Sequence, residues 1–156
     1  MRDGSPPMTE VTDLRTVEMM MISTRGRYAI RVMLDLASHE NGSYIPLRDI
    51  AERQEISKKY LEIIVKDMVS GGLLEASSGR GGGYRLRKPA EDYNVWEILK
   101  ITEGPMNPVA CLADDAQDCP RAPECPTLPM WAQFDAMIKN FFSSKKLTDL
   151  LKDGTA

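Results

Sequence analysis

The 156 residues are enough for one domain with a modest core, and a hydrophobic share of 42% excludes a disordered chain. No apolar run approaches the roughly 20 residues that span a bilayer, and Met1 to Glu10 carry no charged stretch followed by an apolar one, so neither a membrane protein nor a secreted one is expected and the location is expected to be cytoplasmic. The net charge of -3 hides an asymmetry: residues 22–90 hold 12 Lys and Arg against 8 Asp and Glu, whereas the remainder holds 8 against 15, as when one face meets an anion.

Residues 1–20 read as a disordered tail, broken by Gly4, Pro6 and Pro7, with Met19, Met20 and Met21 as alternative starts. Helical periodicity then begins. Ala29, Val32, Met33 and Leu36 recur at one face of a helix over Thr24 to Ser38, and Asn41-Gly42 marks a turn. Pro46 suits the first turn of a short helix through Leu47, Ile50 and Ala51 to about Gln54. Ser57 reads as the N-cap of a third helix whose stripe is Leu61, Ile64, Val65 and Met68, ended by Gly71-Gly72. Leu73 to Ala76 and Tyr84 to Arg87 flank Ser77-Ser78-Gly79-Arg80-Gly81-Gly82-Gly83, which predicts a hairpin with a glycine-rich tip. Val95 to Ile101 read as another short helix. Gly104 to Pro126 form a long loop holding five prolines, and a loop of that length inside a compact domain is usually functional or disordered. A heavy apolar stripe follows at helical spacing: Trp131, Phe134, Met137, Ile138, Phe141 and Phe142. Leu147, Leu150 and Leu151 suggest a last short turn.

The order helix, short helix, tight turn, helix, hairpin is that of a winged helix-turn-helix, mainly α with a small β-hairpin wing. A helix entering a major groove about 12 Å wide needs an outer face that reaches bases and phosphates. Lys58, Lys59 and Tyr60 fall on the first turn of the third helix, where free N–H groups and the macrodipole favour an anion, and Ser57 adds a hydroxyl. Arg80 sits on a tip thin enough for a minor groove, and Arg25 and Arg27 open the first helix near backbone phosphates. Gly81-Gly82-Gly83 is not a phosphate-binding P-loop, because no Lys-Ser or Lys-Thr follows.

Three segments resemble the IscR-type winged-helix transcriptional regulators: Ser23-Thr24-Arg25-Gly26-Arg27-Tyr28-Ala29; Pro46 to Gln54 with Ile56-Ser57 and Tyr60-Leu61-Glu62; and Gly79-Arg80-Gly81-Gly82-Gly83-Tyr84-Arg85-Leu86. The resemblance spans roughly residues 21–152 and reaches NsrR, RirA and CymR relatives. It implies a dimeric repressor or activator on double-stranded operator DNA, with Tyr60 and Glu62 at base-contacting positions. Two residues depart from the pattern. Glu55 stands where the family often has Gly, and Ser78 where it often has Arg.

Cys111, Cys119 and Cys125 are separated by seven and five residues, which is neither the Cys-x-x-Cys of a structural zinc site nor a ferredoxin run. An odd number of cysteines in a chain without a secretion signal points away from a disulfide framework and toward metal or redox chemistry. By spacing alone, three reduced thiols on a loop weigh equally with a cluster. The resemblance implies an iron–sulfur cluster, 2Fe-2S favoured over 4Fe-4S, held by these three cysteines. The family's fourth ligand is a His three residues after the last Cys, where this chain has Leu128, or an acidic residue on the first helix, where it has Arg27. The sole histidine, His39, reads as a surface residue or helix C-cap, and Asp114, Asp115, Asp118 and Glu124 bring oxygen donors to the loop.

The expected organisation is therefore a tail over 1–20, a winged helix-turn-helix over 21–104, a cluster-binding loop over 105–128, and a dimerisation helix with its tail over 129–156. The apolar stripe of the last helix exceeds what one small domain covers, so a homodimer on a pseudo-palindromic operator is expected. The expected function is a DNA-binding transcriptional regulator sensing cluster status, iron, redox state or nitric oxide. A cluster-free regulator answering to a partner protein or metabolite is the alternative. An enzyme is not expected, since one His and no nucleophile–base pair leave little for acid–base catalysis.

Overall fold

The computed structural model describes residues 22–154, so the expected tail over 1–20 and its alternative starts lie outside the described residues. The chain folds into α1 (Thr24–Ser38), α2 (Leu47–Gln54), α3 (Lys58–Ser70), β1 (Leu74–Ser77), β2 (Gly83–Leu86), α4 (Val95–Glu103), α5 (Leu128–Ser144) and α6 (Leu147–Asp153). Short 3-10 turns at Ala90–Asp92, Ala110–Leu112 and Ala122–Glu124 fill the connections. The winged-helix order expected from the sequence is the order observed.

The starts of the first four helices follow from the residues placed there. The Ser23 hydroxyl accepts the Gly26 N–H at 3.3 Å and donates to Glu103 Oε1 at 2.8 Å, which ties the start of α1 to the end of α4. A Cβ on Gly26 would displace that Glu103 carboxylate, so the absence of a side chain there lets the contact form. Ser57 caps α3 by accepting the Tyr60 N–H at 3.2 Å. Asn94 and Glu97 form a capping box at α4. Pro46 is the N-cap residue of α2 rather than part of its first turn, with extended backbone that also lets Ile45 pair with the wing.

The core lies between α1, α2 and α3 and is closed by the wing and α4. Val32, Met33, Leu36, Ile50, Leu61, Ile64 and Met68 are fully or almost fully buried, each worth about 1.5–3 kcal/mol of transfer free energy. One carboxylate enters this interior. Asp35 on α1, 1% exposed at its side chain, accepts two hydrogen bonds from Arg53 at 2.9 and 2.6 Å and one from Gln54 at 3.0 Å, all from the end of α2. Burial without partners would cost far more than this pairing leaves outstanding. The hydrogen bonds from Arg53 to Asp35, with the attraction of the carboxylate's charge, raise the Arg53 pKa.

The wing is a two-stranded antiparallel hairpin in the register Leu74↔Leu86, Glu75↔Arg85, Ala76↔Tyr84 and Ser77↔Gly83. Ile45 extends it by a bridge to Tyr84, and a Cβ on Gly83 would strike the Ile45 carbonyl. Tyr93, fully buried, anchors the wing's base. Its hydroxyl donates to the Leu73 carbonyl at 2.7 Å and accepts the Arg87 and Lys88 N–H groups at 2.9 and 3.1 Å. The last short turn expected from the leucines is a full helix, α6, seated on the core by buried Leu147 and by hydrogen bonds from Val95 N–H to the Lys145 carbonyl and from Leu147 N–H to the Tyr93 carbonyl.

The apolar stripe of α5 divides. Ile138 is buried and Phe142 packs on Val95, Leu99 and Met106, whereas Phe134, Met137 and Phe141 stay exposed. With Met130 they form an outward row at steps of four, three and four residues.

The helix-turn-helix turn carries the one non-glycine residue with positive φ among the described residues, Glu55 at φ 53°. Its left-handed backbone explains why glycine suits this position, since an L side chain there costs roughly 1–2 kcal/mol. Glu55→Gly is expected to raise stability by about 0.5–1 kcal/mol in denaturant unfolding, the steric relief exceeding the unfolded-state entropy that glycine adds. A fall in stability would contradict this account of the turn.

Candidate nucleic-acid interface and cysteine cleft

The solvent face of α3 is set by its buried face. Leu61, Ile64, Val65 and Met68 point into the core, so Lys59, Glu62, Ile63, Lys66 and Ser70 point away from it. Lys58 and Lys59 stand exposed on the first turn, and Lys58 Nζ lies 3.9 Å from Glu62 Oε1. Tyr60 is half-buried, its ring edge-on to Tyr28 at 5.8 Å between centroids. Arg80 is exposed at the wing tip between Gly79 and Gly81, both at positive φ.

The two arginines of α1 differ in setting. Arg25 is engaged with Asp67 of α3, tying the helices together, while Arg27 is exposed and donates to Thr24 Oγ1 at 2.9 Å. The Ser57 hydroxyl is occupied as a cap. The sequence reading missed Ile63 and Lys66 on the outward face of α3. Both fall outside the core stripe, and counting core positions gives no weight to what lies opposite them. It also gave no role to Arg85, which pairs with Glu75 at 2.8 Å and lies 4.5 Å from the Tyr44 ring centre, stiffening the wing stem.

The loop between α4 and α5 brings all three cysteines to one place. Cys111, Cys119 and Cys125 line a single cleft of about 350 Å³, together with Asp118 and, at its wall, Leu128. The other acidic residues of the loop, Asp114, Asp115 and Glu124, do not line it. Cys111 and Cys119 are exposed and Cys125 half-buried, and none is in a disulfide. Among the described residues no three Cys, His, Asp or Glu side chains converge tightly enough for a single metal ion. Three thiols and a carboxylate nonetheless border one hollow. His39 is the C-cap of α1, its Nδ1 2.8 Å from the Asp35 carbonyl, and takes no part in the cleft.

Cys125 is chemically distinct. The Thr127 hydroxyl lies 3.5 Å from its sulfur, and this hydrogen bond, aided by the backbone N–H groups of Thr127 and Leu128 at the start of α5, holds the thiol below its ordinary pKa. The thiolate is the form that binds metal and attacks electrophiles. Thr127→Val is therefore expected to raise the Cys125 pKa and slow its alkylation by iodoacetamide at pH 7, with the two proteins converging at high pH. Identical pH–rate profiles would show that Thr127 does not tune this thiol.

Residues 22–153 match the Rrf2 family, described as an iron-dependent transcriptional regulator. The chain is 35% identical over 134 residues to the HTH-type transcriptional regulator IscR of Vibrio atlanticus, covering 86% of this chain and 76% of that protein. It is 33% identical over 136 residues to the protein rrf2 of Nitratidesulfovibrio vulgaris, covering 87% and 90%. Among solved structures, IscR of T. potens superposes with a TM-score of 0.67 at 31% identity, over 85% of this chain and 87% of that one. CymR, the global cysteine regulator of B. subtilis, superposes with a TM-score of 0.66 at 30% identity, over 84% and 95%.

Proposed function

The chain belongs to the Rrf2 family of transcriptional regulators, and from that premise we propose that it binds operator DNA as a homodimer and governs that binding through an iron–sulfur cluster in the cysteine loop. In this reading residues 21–104 are the DNA-binding winged helix-turn-helix, 105–128 the sensing loop and 129–156 the dimerisation segment. α3 enters the major groove with Lys58, Lys59, Tyr60 and Glu62, Glu62 accepting from cytosine N4. Arg80 reaches the adjacent minor groove, and Arg27 and the Ser57 turn meet phosphates. Arg25, already engaged with Asp67, acts on DNA by fixing α1 against α3.

The dimer rests on α5. Met130, Phe134, Met137 and Phe141 are 53%, 38%, 67% and 57% exposed, and their spacing is that of a helix seam packed against a second helix. A twofold arrangement places two α3 helices about 34 Å apart, or a multiple of it, on a pseudo-palindrome.

The observation that carries the sensing role is the gathering of three thiols from one loop around a single cleft. Cys111, Cys119 and Cys125 would hold the cluster, which supplies redox-sensitive and labile iron. Leu128 takes the place of the family's histidine, and Asp118 is the carboxylate bordering the cleft. A site completed by a carboxylate or by solvent is more exchangeable than a four-thiolate one, which suits a sensor. The alternative, a cluster-free regulator answering to a partner protein or metabolite, draws on the likeness to CymR.

Two measurements test this reading. Lys59→Ala is expected to weaken binding to a selected operator and flatten its salt dependence by about two units of slope, one phosphate contact being lost in each half-site. Wild-type affinity and slope in both Lys59→Ala and Tyr60→Ala would remove α3 from the interface. Anaerobically purified protein is expected to show visible charge-transfer absorption with matching iron and sulfide, lost in Cys119→Ser. A colourless, iron-free wild type after reconstitution would favour the cluster-free regulator.

A further inference from the structure

Five large hydrophobic side chains are strongly exposed among the described residues. Four of them, Met130, Phe134, Met137 and Phe141, belong to the outward row of α5. The fifth is Ile63, 52% exposed and placed on the outer face of α3. The α5 seam therefore leaves Ile63 unexplained.

Its setting is specific. Ile63 lies one helical turn after Lys59 and one before Lys66, beside Glu62, on the face opposite Leu61, Ile64, Val65 and Met68. Every other member of that outward row is polar: Lys59, Glu62, Lys66 and Ser70. An exposed β-branched residue is also a poorer helix former than Lys, Gln or Glu, so local structure does not call for it. On a helix seated in a major groove, the outward centre faces base edges while long cationic side chains on either side reach phosphates. The apolar feature that a base edge offers there is the thymine C5-methyl group.

We infer that Ile63 is a specificity-determining residue that packs on a thymine methyl in each half-site. This rests on the proposal that α3 enters the major groove. Glu62 then selects its base by accepting a hydrogen bond and Ile63 selects a nearby one by excluding water from the methyl. The pair discriminates by two different forces on adjacent positions of one helix.

The test uses the full chain, a randomised duplex library and the variants Ile63→Ala and Ile63→Gln, with thermal unfolding as a check that these surface changes leave the fold intact. Wild type is expected to enrich thymine at one position per half-site. Replacing that thymine by 2′-deoxyuridine, which removes only the methyl, is expected to weaken wild-type binding by about fourfold per contact, the worth of one buried methyl-sized group. Ile63→Ala is expected to bind the two duplexes nearly equally, and Ile63→Gln to lose the thymine preference. If Ile63→Ala keeps the same motif and the same thymine-to-uracil ratio as wild type, the assignment of Ile63 is overturned while DNA reading by α3 stands. If wild type enriches no sequence at all, DNA reading by α3 falls, and the role of Ile63 with it.

Discussion

A carboxylate placed inside an apolar core constrains everything packed around it, and Asp35 is that group here. It accepts from Arg53 and Gln54, two consecutive residues at the end of α2, while Arg31 of α1 donates back to Gln54 at both its side chain and its carbonyl. The end of α2 is thus held against α1 by polar contacts with defined directions, which apolar packing alone does not supply. Glu55 follows at once with a left-handed backbone, and Ser57 caps α3 two residues later. The direction in which α3 leaves the core is therefore determined within a few residues of the Asp35 joint. At the opposite edge, the Tyr93 hydroxyl spends all three of its hydrogen bonds on the wing's base. A reading helix and a wing held by such directed contacts can be presented to DNA without large reorganisation.

The cysteine loop is built on the opposite principle. Between Met106 and Ile138 no residue is buried. The loop is held by short 3-10 turns and by few side-chain bonds, such as Asn107 to Asp135 at 3.1 Å. A segment with so little apolar burial has low local stability, and in the proposed reading a ligand bridging its three thiols would add to its order. The loop also leads directly into α5, whose inner side packs on α4 and whose outer side is apolar. Ordering the loop would bear on how two subunits sit against each other and so on the separation of two reading helices. The size of that effect is bounded by the difference in ligand affinity between the two arrangements.

Much of this was legible in the chain itself. The bounds of α1, the Ser57 cap and the glycine-tipped hairpin follow from periodicity and capping chemistry, because those rules are local. What was not legible depends on residues distant in sequence. Asp35 looks like a surface position of an amphipathic helix until Arg53 is folded beside it. Arg25 gives no sign in the sequence of its pairing with Asp67 on another helix. Glu55 gives no sign of a left-handed backbone except through the family's preference for glycine. The convergence of three irregularly spaced cysteines on one cleft is a property of the folded loop, and Ile63 becomes visible only when exposure is compared across helices.

The central claim is that the loop controls the reading head. The most direct test is the affinity of one protein preparation for one operator duplex, measured anaerobically before and after removal of its iron by a chelator. The account predicts two clearly separated dissociation constants, with the iron-loaded value recovered on reconstitution. Equal affinities for the loaded and stripped forms would contradict it.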